Sequence, residues 1–248
     1  AVLAALMARE GVTANTEILE HPYGYAEVFN HHSGINAAHF ENWGDPLEIL
    51  TEFGLGLKPY PACGAAHPPI EAAIQIRDQI QGDLDAIEDI RIGVTEMHFE
   101  PMIYDKAANG LEAKFCMGYC IAAALLDGDV TLQSFEEAEI PRINASGIVG
   151  KVRMELDDRV KGNSEFGSVV TITLKSGQVL EKIVPLAIGK PERWFPKRKL
   201  ETKFHDCCSG VISKEHAAKI FTLSQGFEDA RSLKPLCKAV GQSTALAE

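Results

Sequence analysis

A lysine and a histidine frame a short proline-rich segment, residues 58–67, that could bind a carboxylate. Two prolines within it hold the backbone extended and stiff, so Lys58 is presented from a fixed position. Gly64 and a helix start near His67 would supply free backbone N–H groups and the positive end of a helix dipole. A plain connector with an exposed lysine and a capping histidine fits equally well, and the spacing alone does not choose.

A tyrosine in the middle of an apolar helical segment, residues 112–128, is the second candidate. The hydroxyl of Tyr119 needs a hydrogen-bond partner in such surroundings. Gly118 beside it lowers helix stability, which indicates the close approach of another group. The alternative is a core tyrosine bonded to a backbone carbonyl, and the pattern taken alone favours it.

Other site motifs are absent from the sequence, which has no GxGxxG, Walker, HExxH or GxSxG run. His31, His32 and His39 share one loop, but no acidic residue accompanies them at ligand spacing, so solvated or capping histidines are favoured over a metal site. Cys116 and Cys120 lie four apart on the apolar helix and are expected to be buried thiols. We therefore expect no metal and no organic cofactor.

The chain is acidic, with a formal net charge of −11, although residues 190–203 form a basic, proline-containing segment. A surface that negative repels phosphate backbones, so we expect no nucleic-acid partner. An anionic substrate must then be held by a few local cations. No stretch of about 18 apolar residues is present, so no membrane span is predicted. Six cysteines without a CxxC pair predict free thiols and a cytoplasmic location.

Hydrophobic periodicity divides the chain into three segments, residues 1–56, 57–186 and 187–248. The outer two are predicted to be helical, with Ser213 capping one helix. The middle segment mixes a helix over 68–80, strands near 90–94 and 152–156, a buried helix over 112–126 and a hairpin over 170–184. That mixture predicts an α+β sandwich.

The sequence resembles the MmgE/PrpD family, which includes 2-methylcitrate dehydratase, cis-aconitate decarboxylase and iminodisuccinate epimerase. The family's Lys-x-Tyr/Phe-Pro…His segment is matched by Lys58, Tyr60, Pro61 and His67. Its Ala-Lys/Arg-Phe-Ser-x-x-Tyr-x-x-Ala-x-x-Leu-Leu-Asp-Gly helix is matched by residues 113–128, with Cys116 where Ser is usual. Residues 6–13 and 203–207 resemble two further family motifs, so the resemblance extends along the whole chain.

The resemblance implies a helical domain made from both chain ends, an inserted α+β sandwich domain, a cleft between them, and a homodimer. Family members place further active-site groups in an N-terminal helical portion that this sequence does not match. We therefore expect a missing N-terminal helical portion or a complementing subunit to complete the site. Apolar surface should then be exposed near Leu3 and Leu6, or near Leu233 and Leu236.

The resemblance also implies a cofactor-free lyase, a dehydratase or decarboxylase of a small di- or tricarboxylate such as 2-methylcitrate or cis-aconitate. Lys58 and His67 would bind or polarise a carboxylate, Tyr119 would donate or accept a proton, and Lys58 and Tyr119 should approach one cleft. The tyrosine favours these reactions over epimerisation. Two alternatives stay open, an epimerase or isomerase of an amino-dicarboxylate such as iminodisuccinate and a non-catalytic subunit that kept the fold.

Overall fold

The computed structural model describes residues 1–30, 36–50, 54–80, 83–161 and 166–242, and the chain divides into two compact units, Ala1–Gly54 and Leu55–Glu248. The first unit contains helices α1 (Val2–Arg9) and α2 (Tyr25–Phe29). No residue of α1 is buried, and Leu3 and Leu6 are exposed as predicted.

The second unit is built on a four-stranded sheet with strands β1 (Ile87–Val94), β2 (Val152–Leu156), β3 (Ser168–Leu174) and β4 (Val179–Val184). The strand order is β2-β1-β3-β4, with β1 and β2 parallel and the other neighbours antiparallel. The hairpin between β3 and β4 turns at Gly177, whose φ of 86° suits glycine. The predicted strands and the α+β class are thus confirmed, whereas the inserted-domain arrangement stays a prediction.

Two helices cover one face of this sheet, α3 (His67–Ile80) and α5 (Met117–Asp127). Helix α3 packs on β3 and β4, α5 packs beside β2, and the helices contact each other. Residues that alternate along β1 and β3, such as Ile90 and Ile172, are fully buried beneath them. The other face carries cross-strand charge pairs, including Arg91 with Glu155 at 3.0 Å. The helices therefore cover one face of the sheet, whereas the other carries ion pairs beside the buried side chains of Val169 and Thr171.

The single helix predicted over residues 112–126 is wrong, because the chain forms two helices, α4 (Gly110–Ala113) and α5. Cys116 lies in extended conformation and its Sγ accepts the amide of Tyr119 at 3.4 Å, so it acts as the N-cap of α5. The break releases two backbone carbonyls. That of Lys114 accepts the amide of Cys63 at 3.0 Å and that of Phe115 accepts the amide of Tyr104 at 3.3 Å. The interruption therefore ties residues 58–67 to the start of α5.

A short helix, α6 (Glu139–Asn144), precedes β2. After β4 the chain forms three more helices, α7 (Lys197–Cys208), α8 (Lys214–Gln225) and α9 (Lys234–Gly241). Ser213 caps α8 as predicted, since its Oγ accepts the amide of His216 at 3.2 Å. The segment before α7 is held against α3 by a two-pronged pairing of Arg193 with Glu71. None of the helices within the described ranges combines the length and apolar character that a membrane span requires.

Candidate active site

Lys58 and His67 meet at one backbone carbonyl. The Nζ of Lys58 donates to the carbonyl oxygen of Ala62 at 3.1 Å, and the Nε2 of His67 lies 3.2 Å from the same oxygen. Because a carbonyl can only accept, Nε2 must carry the hydrogen and Nδ1 must be unprotonated in the neutral ring. The structure therefore brings these two predicted residues together across a tight turn.

The free backbone N–H groups predicted at the helix start near His67 are not found. The amide of Ala66 donates to the carbonyl of Cys63, and the amide of His67 donates to that of Gly64. The next two residues are Pro68 and Pro69, which have no N–H. Carboxylate binding at the start of α3 must therefore come from side chains.

His67 is neutral near pH 7. Burial lowers the pKa of its imidazole to about 4, the hydrogen bond to Ala62 opposes the shift, and the ammonium groups of Lys58 and Lys203 lower the pKa further. Helix α7 approaches this turn, since the Nζ of Lys199 lies 3.4 Å from the Tyr60 hydroxyl. His67 is therefore a neutral hydrogen-bonding group in this site and not a cation.

Tyr60 connects the turn to α7. Its side chain is only 1% exposed, its ring meets that of His67 edge to face at 5.8 Å, and its hydroxyl lies 3.4 Å from the Nζ of Lys199. The same ammonium stands 4.9 Å from the centre of the Tyr60 ring. Burial raises the pKa of Tyr60, as do the carboxylates of Glu71 and Asp129, so the phenol stays protonated and can accept from Lys199.

A cleft opens where the turn, the loop after α5 and helix α7 meet. The cleft is small, with a cavity volume of about 50 Å³, well below the roughly 300–1,000 Å³ of a complete small-molecule site. The lining comes from the turn prolines, the loop and one face of α7, namely Pro59, Pro61, residues 129–132, Lys199, Thr202, Lys203, Asp206 and Cys207. Lys199 and Lys203 are one helical turn apart, so their side chains share a face of α7. The cleft can therefore offer two ammonium groups to one small anion.

Tyr119 occupies a different position. The ring is fully buried, and the hydroxyl donates to the carbonyl of Ser134 at 2.6 Å. Burial raises the pKa of this phenol, so it is protonated. This is the geometry of the core-tyrosine alternative. Residues 129–132 of the cleft are close by, since the amide of Thr131 donates to the Ser134 Oγ at 3.1 Å. No hydrogen bond among the described residues joins Tyr119 to Lys58 or His67, and its catalytic role stays a prediction.

Sequence reasoning missed Lys199 and Lys203 as site residues. The signal was present, because residues 190–203 hold six Lys or Arg against two Glu in a chain of net charge −11. Nothing local showed that this segment would fold back onto Tyr60. The approach depends on contacts between residues far apart in sequence.

The histidine loop considered as a metal site is not tested by the structure. His31 and His32 lie outside the described residues, as does the side chain of His39. Among the residues that the structure does describe, no three His, Cys, Asp or Glu side chains are grouped as a metal site would require. Cys116 and Cys120 are buried thiols, as predicted.

The family model and the similar proteins agree on one protein family. A sequence model of the MmgE/PrpD C-terminal domain matches residues 60–229. Cis-aconitate decarboxylase of Mus musculus is 21% identical over 242 residues, covering 95% of this chain and 49% of that protein. The enzyme of the same name from Homo sapiens is 22% identical over 234 residues, covering 91% and 47%. The chain thus spans about half the length of the curated relatives it matches.

Proposed function

Because the chain belongs to the MmgE/PrpD family, we propose that it carries part of the active site of a cofactor-free lyase for a small di- or tricarboxylate such as cis-aconitate. The observation that carries the proposal is the cleft beside the Lys58 turn, where α7 presents Lys199 and Lys203 in an otherwise acidic protein. Local cations of this kind are what a carboxylate substrate requires when the overall charge of the protein repels it.

The reaction that these groups suit is one in which negative charge develops next to a carboxylate. In a decarboxylation, the bond from carbon to the leaving carboxyl breaks and carbon dioxide departs. The electron pair stays on carbon beside another carboxylate until a proton is delivered to it. Fixed ammonium groups such as that of Lys58 stabilise this charge, and removing one such donor costs about 10²–10³ in rate.

His67 and Tyr119 have narrower roles in this proposal. His67 is neutral and its Nε2–H is used by the Ala62 carbonyl, so its role is to support the position of Lys58. Tyr119 is the proposed proton donor on the strength of the family resemblance. To act, its hydroxyl must exchange the Ser134 carbonyl for the substrate, and the cleft loop that contains Thr131 must shift.

We propose that the enzyme is a homodimer and that a further polypeptide closes the cleft. This polypeptide is either an N-terminal helical portion or a complementing subunit. Support comes from the length of the relatives and from apolar side chains exposed near the end of the second unit, including Phe227 (55%), Leu233 (46%) and Val240 (54%). A protein of this size rarely leaves a large apolar patch open to water.

The test is a substrate panel followed by proton NMR. The purified full-length protein is mixed with cis-aconitate, 2-methylcitrate or iminodisuccinate, with and without a polypeptide that supplies the family's N-terminal helical portion. We expect loss of carbon dioxide from cis-aconitate or of water from 2-methylcitrate. Conversion of iminodisuccinate alone would indicate the epimerase instead. No conversion of any compound in either mixture would contradict an enzymatic function.

A further inference from the structure

Two lysines on one face of α7, Lys199 and Lys203, line the cleft beside the Lys58 turn. We propose that Lys199 and Lys203 form a second carboxylate subsite, which makes the enzyme select substrates that carry at least two carboxylates. The inference rests on the proposed function and specifies its substrate class. Lys58 holds one carboxylate, and the pair on α7 holds another.

The position of Lys199 is fixed by Tyr60. The Lys199 ammonium approaches both the hydroxyl, at 3.4 Å, and the ring face, at 4.9 Å, of a tyrosine that is 1% exposed. A buried ring cannot follow a mobile lysine, so the ring defines where the ammonium stands. This anchoring lowers the conformational entropy that would be lost when a ligand is bound.

Lys203 extends the same positive surface toward the turn. It is one helical turn from Lys199, and its charge acts on the buried ring of His67. Thr202 and Thr131 also line the cleft, and the hydroxyl of Thr202 already donates to the carbonyl of Arg198 at 3.0 Å. The two ammonium groups can together satisfy both oxygens of a carboxylate.

Two acidic residues, Asp129 and Asp206, also line the cleft, and their negative charge opposes the binding of an anion there. Asp129 is engaged with its neighbour, since its Oδ1 accepts the amide of Val130 at 2.8 Å. In the part of the chain that the structure describes, neither Lys199 nor Lys203 forms a salt bridge with a carboxylate. Their N–H donors are therefore not used in an ion pair, and they are available to a bound anion even though Asp129 and Asp206 carry negative charge in the same cleft.

The experiment compares two unreactive probes that share a three-carbon backbone, tricarballylate with three carboxylates and butyrate with one. Their dissociation constants are measured by NMR titration for the full-length wild type, for Lys199→Met with Lys203→Met, and for Lys203→Met alone. Methionine keeps most of the packing of a lysine stem and removes the charge. The matched control is Lys197→Met, an exposed lysine on the same helix that does not line the cleft.

The subsite predicts that the double variant weakens tricarballylate by about 10- to 100-fold, the loss expected for a charge-assisted hydrogen bond, and leaves butyrate unchanged. Lys203→Met should give a smaller loss without touching the Tyr60 contact, and Lys197→Met should give none. Equal weakening of both probes, or no weakening, would overturn the subsite. Wild-type turnover of cis-aconitate is followed in parallel. Its absence, with the tricarballylate preference intact, would reject the lyase reaction and not the subsite.

Discussion

At the scale of single residues, the site is organised by one carbonyl and one aromatic ring. The carbonyl of Ala62 accepts hydrogen bonds from the side chains of Lys58 and His67, and the ring of Tyr60 contacts His67 and Lys199. Both of these groups are buried, which gives Lys58 and the half-buried Lys199 defined positions. Charge placement in this protein therefore depends on a few neutral, buried groups.

Tyr119→Phe separates the two roles that have been considered for Tyr119. Loss of the hydrogen bond to Ser134 should lower the free energy of unfolding by about 0.5–1.5 kcal/mol, whatever the tyrosine does in catalysis. If the hydroxyl is also the proton donor, turnover at saturating substrate should fall by about 10²–10⁴. Chemical denaturation and steady-state kinetics on the same preparation give both values. Destabilisation with unchanged turnover would assign Tyr119 to the core.

The burial of His67 and His98 predicts how the free energy of unfolding depends on pH. Burial lowers the pKa of each imidazole to about 4, whereas in the unfolded chain both titrate near 6.5. The unfolded state therefore binds more protons between those values, so stability is full above about pH 6.5 and falls as pH drops toward 4.

The loss should be on the order of 2–3 kcal/mol per histidine at the bottom of this window. Denaturation at several pH values would be compared for wild type, His67→Gln, His98→Gln and the double variant. Glutamine can still donate to the Ala62 carbonyl. Each substitution should flatten the curve, and a double variant with the wild-type slope would refute the assignment.

At the scale of elements, the site depends on a helix that stops and restarts. Cys116 caps α5, and the carbonyls freed just before it hold the Lys58 turn and the segment containing Tyr104. Helix α5 packs closely against Val149 at Gly118, where the sequence predicted the close approach of another group. A Cβ there would stand 2.7 Å from the carbonyl oxygen of Val149 and 3.2 Å from its Cγ1.

Gly118→Ala should therefore destabilise the protein, although alanine is the better helix former by about 1 kcal/mol. The new methyl group would push against backbone, and overpacking of this kind costs about 1–3 kcal/mol. The control is Gly150→Ala, where a Cβ would meet nothing within 4 Å. Thermal melts should show a lower midpoint for the first variant and little change for the second. A Gly118→Ala protein as stable as wild type would contradict the packing seen here.

At the scale of the whole molecule, local pattern predicted the elements and missed what they bring together. The alternating strands and the buried helix followed from period and composition, as did the hairpin at Gly177. The helix break at Cys116 was missed because a thiol is a weak cap that propensity does not reveal. The meeting of Lys199 with Tyr60 was missed because the two residues are 139 positions apart. Contacts of that range depend on the assembled fold.

The most direct test of the carboxylate-binding lyase uses one charge change and one control. Carbon dioxide release from cis-aconitate is measured for full-length wild type, Lys58→Met and Lys197→Met, together with the polypeptide that completes the cleft, after dialysis against a chelator. We expect the wild type and Lys197→Met to retain turnover, whereas Lys58→Met loses about 10²–10³ in rate and stays folded. Turnover that the chelator abolishes, or that Lys58→Met leaves unchanged, would contradict this expectation.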